Sequence, residues 1–129
     1  MVIVDTSAWV EYLNDGDPLV VEKVDHYLDQ DLVAMGDLIY CEIMQGIRLD
    51  HQRREISSLL LALPQHEMVG FHIAERSAAN YRLLRSRGIT VRKTIDVLIG
   101  TYCAENGLAL VHNDRDFDHM GPHIGLETV

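Results

Sequence analysis

The chain has 129 residues, of which 47% are hydrophobic and 24% charged, a composition typical of one folded domain and not of a disordered segment. Its formal net charge of −9 disfavours unassisted binding to nucleic acid, because proteins that bind polyanions usually carry a basic surface. No apolar stretch approaches the roughly 20 residues that cross a bilayer, and the first residues lack the basic region of a signal peptide.

The predicted strands are Met1–Val4, Leu32–Met35, Glu67–Gly70, Leu108–Val111 and a short Leu126–Val129. The predicted helices are Ser7–Leu13, Asp17–Asp29, Asp37–Leu49, Asp50–Leu63, His72–Arg87 and Thr94–Asn106. Thr6 or Ser7 is expected to cap the first helix, and Gly88 and Gly107 to end the last two. Strands that alternate with helices pair in parallel. The sequence therefore predicts a single three-layer α/β/α domain over residues 1–129, with a mainly parallel sheet of four to five strands.

The two cysteines, Cys41 and Cys103, form no CxxC motif and both fall in predicted helices. In such positions a thiol behaves as a small apolar side chain. The pair therefore predicts buried, reduced thiols and a cytoplasmic protein.

Four acidic residues, Asp5, Glu42, Asp96 and Asp114, lie where predicted elements begin or end or on amphipathic helices. Asp5 and Asp114 follow apolar strands, and parallel strands present their carboxyl ends at the edge where α/β sheets bind ligands. Converging carboxylates repel one another unless a cation neutralises them, and oxygen-only ligands select Mg²⁺ or Mn²⁺. These residues predict metal-dependent phosphate chemistry, although Asp96 alone is equally explained as a helix-end stabiliser.

The segment HNDRDFDHMG, residues 112–121, contains fragments of two other metal motifs. Asp114, Asp116 and Asp118 alternate as at the start of a calcium loop, but the sixth position is His119 and not glycine. His119 and His123 have the spacing of zinc ligands, but Gly121-Pro122 is expected to break a helix between them. Neither a calcium loop nor a zinc site is predicted.

Five of the eleven Lys and Arg residues lie between Arg82 and Lys93, directly before Asp96. This segment is either a solvated helix face or a flank that follows a phosphate backbone, and the sequence leaves both open. His112 is a further candidate for a supporting contact. The candidate substrate contacts are Thr6, Arg92, Lys93, Asn113 and Arg115.

Together these segments resemble the PIN-domain nucleases, most closely the VapC toxins of bacterial and archaeal toxin–antitoxin pairs. VIVDTSAWVEYL is similar to the family's opening strand, aspartate, hydroxyl and helix, and YCEIMQGI to its glutamate helix with an E-x-x-x-G relation. TIDVLIGTYCAENGLALVHNDRDFD is similar to its third acid, helix, strand and final turn. The resemblance covers nearly the whole chain. One departure is His112, where the family often has Thr or Ser, so no hydroxyl is available there.

The resemblance implies a central parallel sheet, a Mg²⁺ or Mn²⁺ site and cleavage of RNA by a metal-activated water. Asp5, Asp96 and Asp114 would bind the metal, with Asp116 nearby, and Glu42 would hold the water or act as the base. The resemblance also implies a homodimer and a VapB-like antitoxin that blocks the groove. The antitoxin would lie over the first two helices. Their apolar side chains predict either this docking surface or inward and homodimer packing: Trp9, Tyr12, Leu13, Val20 and Val21.

Two other functional classes remain open from the residues alone. One is a metal-dependent phosphatase or phosphoryl-transfer domain with an aspartate after its first strand; here no second aspartate follows two residues after Asp5. The other is a catalytically silent RNA- or protein-binding domain, which would leave four clustered carboxylates unexplained. Release of phosphate from small esters, or cleavage of RNA, distinguishes these classes.

Overall fold

A computed structural model describes all residues, 1–129, as four strands and seven helices. The strands are β1 (Val2–Val4), β2 (Val33–Gly36), β3 (Gln65–His66) and β4 (Ala109–Val111). All pair in parallel in the order β3-β2-β1-β4. The helices are α1 (Thr6–Leu13), α2 (Pro18–Asp29), α3 (Asp37–Gln45), α4 (Asp50–Leu61), α5 (Phe71–Ser86), α6 (Thr94–Glu105) and α7 (Arg115–Ile124).

The sheet is covered by two groups of helices. Helix α1 packs against α2 and α3, whereas α5, α6 and α7 pack against one another. All residues of β1 and β2 are buried, as expected for parallel strands covered on both faces. The predicted three-layer α/β/α fold is therefore confirmed, with four strands in the sheet.

Strand β3 lies two residues before the predicted segment Glu67–Gly70. Met35 pairs with Gln65 in the sheet, whereas the backbone N–H of Met68 donates to the Asp37 carboxylate at 3.0 Å. Met68 is therefore held outside the ladder although its side chain is fully buried. The prediction was wrong because an apolar residue followed by glycine here belongs to a loop that enters α5, and not to a strand.

The predicted helix Asp37–Leu49 ends earlier, at Gln45. The Arg53 guanidinium, from the next helix, donates to the Ile47 and Arg48 carbonyl oxygens at 2.8 and 3.1 Å. These carbonyls therefore find a partner outside a helix, and the chain turns between α3 and α4. Helix α4 also ends two residues before the predicted Leu63.

Helix α7 was not predicted, because Gly121-Pro122 is expected to break a helix. The helix continues through Pro122 to Ile124, where Gly125 adopts a left-handed conformation with φ of 75°. Buried Phe117 and Met120 hold it in the core. A proline in the last turns removes one hydrogen bond, which this burial offsets.

The predicted last strand, Leu126–Val129, is reduced to a single bridge between Leu110 and Thr128. The Leu110 N–H donates to the Glu127 carbonyl at 2.9 Å, and the Val129 N–H donates to the Leu110 carbonyl at 3.0 Å. These residues cover the outer edge of β4.

Cys103 is buried as predicted, and burial raises the pKa of its thiol to about 12. Cys41 is exposed, so that part of the prediction was wrong. None of the seven helices has both the length and the apolar character needed to span a membrane.

Candidate active site

A cleft of about 360 Å³ opens at the carboxyl ends of β1 and β4. The structure brings together in this cleft all four acids that the sequence singled out. The parallel sheet brings Asp5 and Asp114 together, because β1 and β4 are neighbours and both end at the same edge, while Glu42 and Asp96 reach the cleft from α3 and α6. The lining residues are Asp5, Thr6, Ser7, Val10, Glu11, Glu42, Lys93, Asp96, Asn113 and Asp114.

Asp5 caps α1 while it faces the cleft. Its Oδ2 accepts hydrogen bonds from the Ser7 backbone N–H at 2.9 Å and from the Ser7 hydroxyl at 2.7 Å. The predicted cap, Thr6 or Ser7, was therefore wrong: Asp5 is the cap and Thr6 is the first helical residue. The other oxygen, Oδ1, is buried and has no hydrogen-bond partner. Burial raises the pKa of Asp5, and the Ser7 hydrogen bonds oppose that rise.

Asp114 has the same double role at the start of α7. Its Oδ1 accepts from the Asp116 backbone N–H at 3.0 Å, which caps the helix. Carboxylate oxygens of Asp96, Asp114 and Asp116 lie within 4.8 Å of one another. Asp5 lines the same cleft but is outside this tight group.

Asp96 lies in the first turn of α6 and is only 4% exposed. Burial, as the largest cause, and the neighbouring charges of Asp5, Asp114 and Glu42 together raise its pKa to about 7, although Lys93 opposes the rise. Its Oδ2 is buried without a partner. The helix N-terminus favours a carboxylate, but its contribution of about 1 kcal/mol is smaller than the cost of this burial.

Glu42 reaches the cleft from the middle of α3. Its Oε1 accepts a hydrogen bond from the Thr6 hydroxyl at 2.7 Å. Thr6 was predicted to contact substrate; in the structure it lines the cleft, and its hydroxyl is bound to Glu42 and orients that side chain. The first residue of α1 and a residue 36 positions later are thereby linked across the cleft.

The candidate substrate contacts lie at three different positions relative to the cleft. Lys93 and the polar Asn113 line the cleft. The Arg92 guanidinium lies at its border, where Nε donates to Asp116 Oδ2 at 3.4 Å and Nη2 lies 3.9 Å from Asp114 Oδ1. Arg115 is exposed and is not among the lining residues.

Two lining residues, Val10 and Glu11, were not predicted at this site. Ser7 was predicted as a possible helix cap, and in the structure its hydroxyl donates to Asp5 Oδ2 and accepts from the Asn113 N–H at 2.9 Å. Val10 lies four residues after Thr6, and Glu11 four residues after Ser7. Residues with this spacing lie on the same face of a helix, so the spacing was the one sequence signal that indicated them.

The donors present fit a hard divalent ion such as Mg²⁺ or Mn²⁺. Two buried carboxylate oxygens, Asp5 Oδ1 and Asp96 Oδ2, lack any hydrogen-bond partner, which is costly in a folded protein. All neighbouring acidic ligands are oxygen donors, and no cysteine lines the cleft. A divalent cation in the cleft would offset the repulsion among the acids and would give buried carboxylate oxygens of this kind a partner.

The chain is similar to known proteins over nearly its whole length. Residues 2–121 match the family model of the PIN domain. The chain is 32% identical over 130 residues to "Ribonuclease VapC11" of Mycobacterium tuberculosis, which covers 99% of this chain and 97% of that relative. The same identity and coverage relate it to "VapC ribonuclease Mb1587" of Mycobacterium bovis.

Solved structures share the fold at lower identity. VapBC2 from Rickettsia felis, bound to a promoter DNA fragment, matches with a TM-score of 0.77 and 15% identity over 100% of this chain and 98% of that one. DNA-bound VapBC from Salmonella typhimurium matches with a TM-score of 0.77 and 17% identity, at the same coverage. By its family match and its sequence relatives, the chain belongs to the PIN-domain family.

Proposed function

We propose that this chain is a Mg²⁺- or Mn²⁺-dependent endoribonuclease and the toxin of a toxin–antitoxin pair. The observation that carries the proposal is the pair of buried, unpartnered carboxylate oxygens on Asp5 and Asp96, two residues that line one cleft with Glu42 and Asp114. The identity of 32% to proteins named VapC ribonucleases, over 99% of this chain, supports RNA as the substrate.

Asp5, Asp96 and Asp114 would hold the ion, with Asp116 as a further ligand. When bound, the ion would lower the pKa of a coordinated water and stabilise negative charge on the phosphoryl oxygens. Glu42, oriented by the Thr6 hydroxyl, would accept the proton of the attacking water.

Substrate binding would rest on the few basic and polar groups at the cleft. Lys93 and Asn113 would contact the phosphate backbone directly, and Arg92 would turn to it once a cation replaces its contact with Asp114 and Asp116. Arg115, exposed beside Asp114, is proposed as a more distant contact. The net charge of −9 makes this binding weak and dependent on these local contacts.

An antitoxin of the VapB type is proposed as the partner. Solved structures of similar fold are complexes named VapBC from Rickettsia felis and Salmonella typhimurium. A basic side chain of such a partner that entered the cleft would neutralise the same acids as a cation. Inhibition and loss of the metal would therefore be coupled.

The test is incubation of the purified chain with total RNA in Mg²⁺, in Mn²⁺ or in EDTA. We expect RNA to be shortened with either ion and left intact in EDTA, with 5′-phosphate ends and with cleavage of a 2′-deoxy substrate. Products with 2′,3′-cyclic phosphates would contradict the water mechanism. Release of phosphate from small esters without RNA cleavage would favour a phosphatase, and metal-independent RNA binding alone would favour a silent domain.

A further inference from the structure

His112 connects the end of β4 to the start of α7. Its side chain is only 8% exposed, and its ring packs against buried Phe117 with 5.2 Å between ring centroids. It lies two residues before Asp114. The ring is therefore enclosed at the segment that presents acidic side chains to the cleft.

Both nitrogens of the ring have a partner. Nδ1 accepts a hydrogen bond from the Asp114 backbone N–H at 3.1 Å. Because a backbone N–H can only donate, Nδ1 carries no proton, and the ring proton lies on Nε2. Nε2 is 3.2 Å from Asp118 Oδ1 and donates to that carboxylate.

These two contacts fix the first turn of α7 at both ends. Asp114 is the cap of this helix and Asp118 is its fourth residue, so the ring spans one helical turn. Asp116 lies between them, and its backbone N–H is bound to the Asp114 carboxylate. The rotation of this turn decides where the carboxylates of Asp114 and Asp116 lie relative to Asp96.

We propose that His112 is a positioning residue, whose ring bridges the Asp114 N–H and the Asp118 carboxylate and so orients Asp114 and Asp116 to hold a divalent cation. The inference rests on the proposed function in that these acids are taken as the metal ligands. Groups that orient metal ligands typically change metal affinity by about 10- to 100-fold when they are removed. A ring that served only to pack against Phe117 would have no such effect.

His112→Phe and His112→Asn separate the two roles. Phenylalanine keeps an aromatic ring beside Phe117 but accepts no hydrogen bond, whereas the asparagine carbonyl can accept from the backbone N–H two residues on. We expect His112→Phe to weaken Mn²⁺ binding about 10-fold or more and His112→Asn to retain most of it. Titration calorimetry of Mn²⁺ against the metal-free protein measures this, with metal-free thermal unfolding as a check on folding.

Asp118 provides a second pair of variants on an exposed side chain that folding tolerates more easily. Asp118→Asn and Asp118→Ala remove the same charge, but only asparagine can still accept from Nε2. We expect Mn²⁺ affinity to fall several-fold further in Asp118→Ala than in Asp118→Asn. This pair tests the proposal even if His112→Phe does not fold.

Unchanged Mn²⁺ affinity in folded His112→Phe, equal affinities of the two Asp118 variants, or a wild-type chain that binds no Mn²⁺ would each overturn the inference. Its failure is distinguishable from failure of the proposed function. A wild-type chain that binds Mn²⁺ but leaves RNA intact would contradict the nuclease, while the calorimetric comparison would still decide the role of His112.

Discussion

At the scale of single residues, Asp5 and Asp114 each cap a helix and also line the cleft. One oxygen caps a helix, and in Asp5 the other is left without a hydrogen bond. Asparagine caps a helix as well as aspartate but carries no charge. Replacement by asparagine therefore removes the charge while it keeps the cap.

Asp5→Asn is expected to lower metal-dependent RNA cleavage by about 100-fold or more, because a charged group at the reacting centre is lost. The stability of the metal-free protein should stay level or rise, because one charge leaves a repulsive cluster. Asp17→Asn is the matched control, since Asp17 caps α2 through the Leu19 N–H in the same way but lies outside the cleft. Full cleavage by Asp5→Asn in Mg²⁺ would refute the assignment.

Asp96 makes the stability of the metal-free protein depend on pH. Its pKa is raised from 3.8 to about 7 in the folded state, so the folded protein holds a proton that the unfolded chain has already lost. The stabilisation of the folded state by this extra proton is complete below pH 3.8, and it is lost as the pH rises through about 7. It amounts to about 4 kcal/mol at most, at about 1.4 kcal/mol per pKa unit.

Between pH 4 and 8 the wild-type chain in EDTA should therefore lose stability relative to Asp96→Asn. Urea unfolding of both proteins across this range measures the difference. Added Mg²⁺ should flatten the wild-type dependence, because a cation favours the charged carboxylate. Parallel pH curves for the two proteins in EDTA would show that Asp96 titrates normally.

At the scale of elements, the largest side chain of α1 packs inward and is not available to a partner protein. Trp9 is fully buried, and its ring meets the edge of Tyr12 at 5.8 Å. Trp9 therefore belongs to the core, so of the two alternatives predicted for it the structure supports inward packing and not the docking surface. The exposed apolar side chains of this region are Val10 on α1, at the cleft, and Leu19 on α2, which is 76% exposed.

An antitoxin that lies over the first two helices should depend on Leu19. Leu19→Asp is expected to weaken capture of the co-expressed antitoxin about 10-fold, since it places a charge in an apolar contact. RNA cleavage by the isolated chain should be unaffected. Phe71→Asp is the control, because Phe71 is 92% exposed on α5, in the other helical layer. If Leu19→Asp and Phe71→Asp bind the antitoxin equally well, the docking surface does not include Leu19.

The sequence predicted a helix boundary correctly where residues next to that boundary determine it. Asp17 followed by Pro18 begins α2, and Gly88 follows α5 with φ of 72°. Helix α7 could not be predicted in this way, because burial of Phe117 and Met120 outweighs the local effect of Pro122. Tertiary packing routinely overrides such propensities.

The convergence of Asp5 and Asp114 followed from parallel pairing, which alternation of strands and helices predicts, whereas the strand order β3-β2-β1-β4 was not predicted. The finer contacts did not follow. That Thr6 binds Glu42, 36 residues away, depends on how α1 and α3 pack. That His112 bridges Asp114 and Asp118 depends on a helix that the sequence did not reveal.

At the scale of the whole molecule, acidic charge and a cation site together predict that a divalent ion stabilises the fold. An ion that binds only the folded state at 100 times its dissociation constant contributes about 2.7 kcal/mol. For a domain of this size, that corresponds to a rise in Tm of about 5–15 °C. Calorimetry in Mn²⁺, with KCl at equal ionic strength as the control, measures the rise.

The same scan of Asp96→Asn should show a much smaller rise, because one proposed ligand is weakened. EDTA should reverse the wild-type effect. An equal rise in KCl would mean that Mn²⁺ only screens the net charge of −9 and does not occupy a site.

The two borders of the sheet bear on how copies of the chain can associate. Strand β3 at one border has only two residues, and residues 127–129 bind the backbone of Leu110 at the other. Short or covered edge strands offer few free backbone groups to a neighbouring chain. A homodimer is therefore expected to form through helical faces and not by continuation of the sheet from one subunit into the next. The two clefts would then be related by the packing of helices, while each sheet stays within its own subunit.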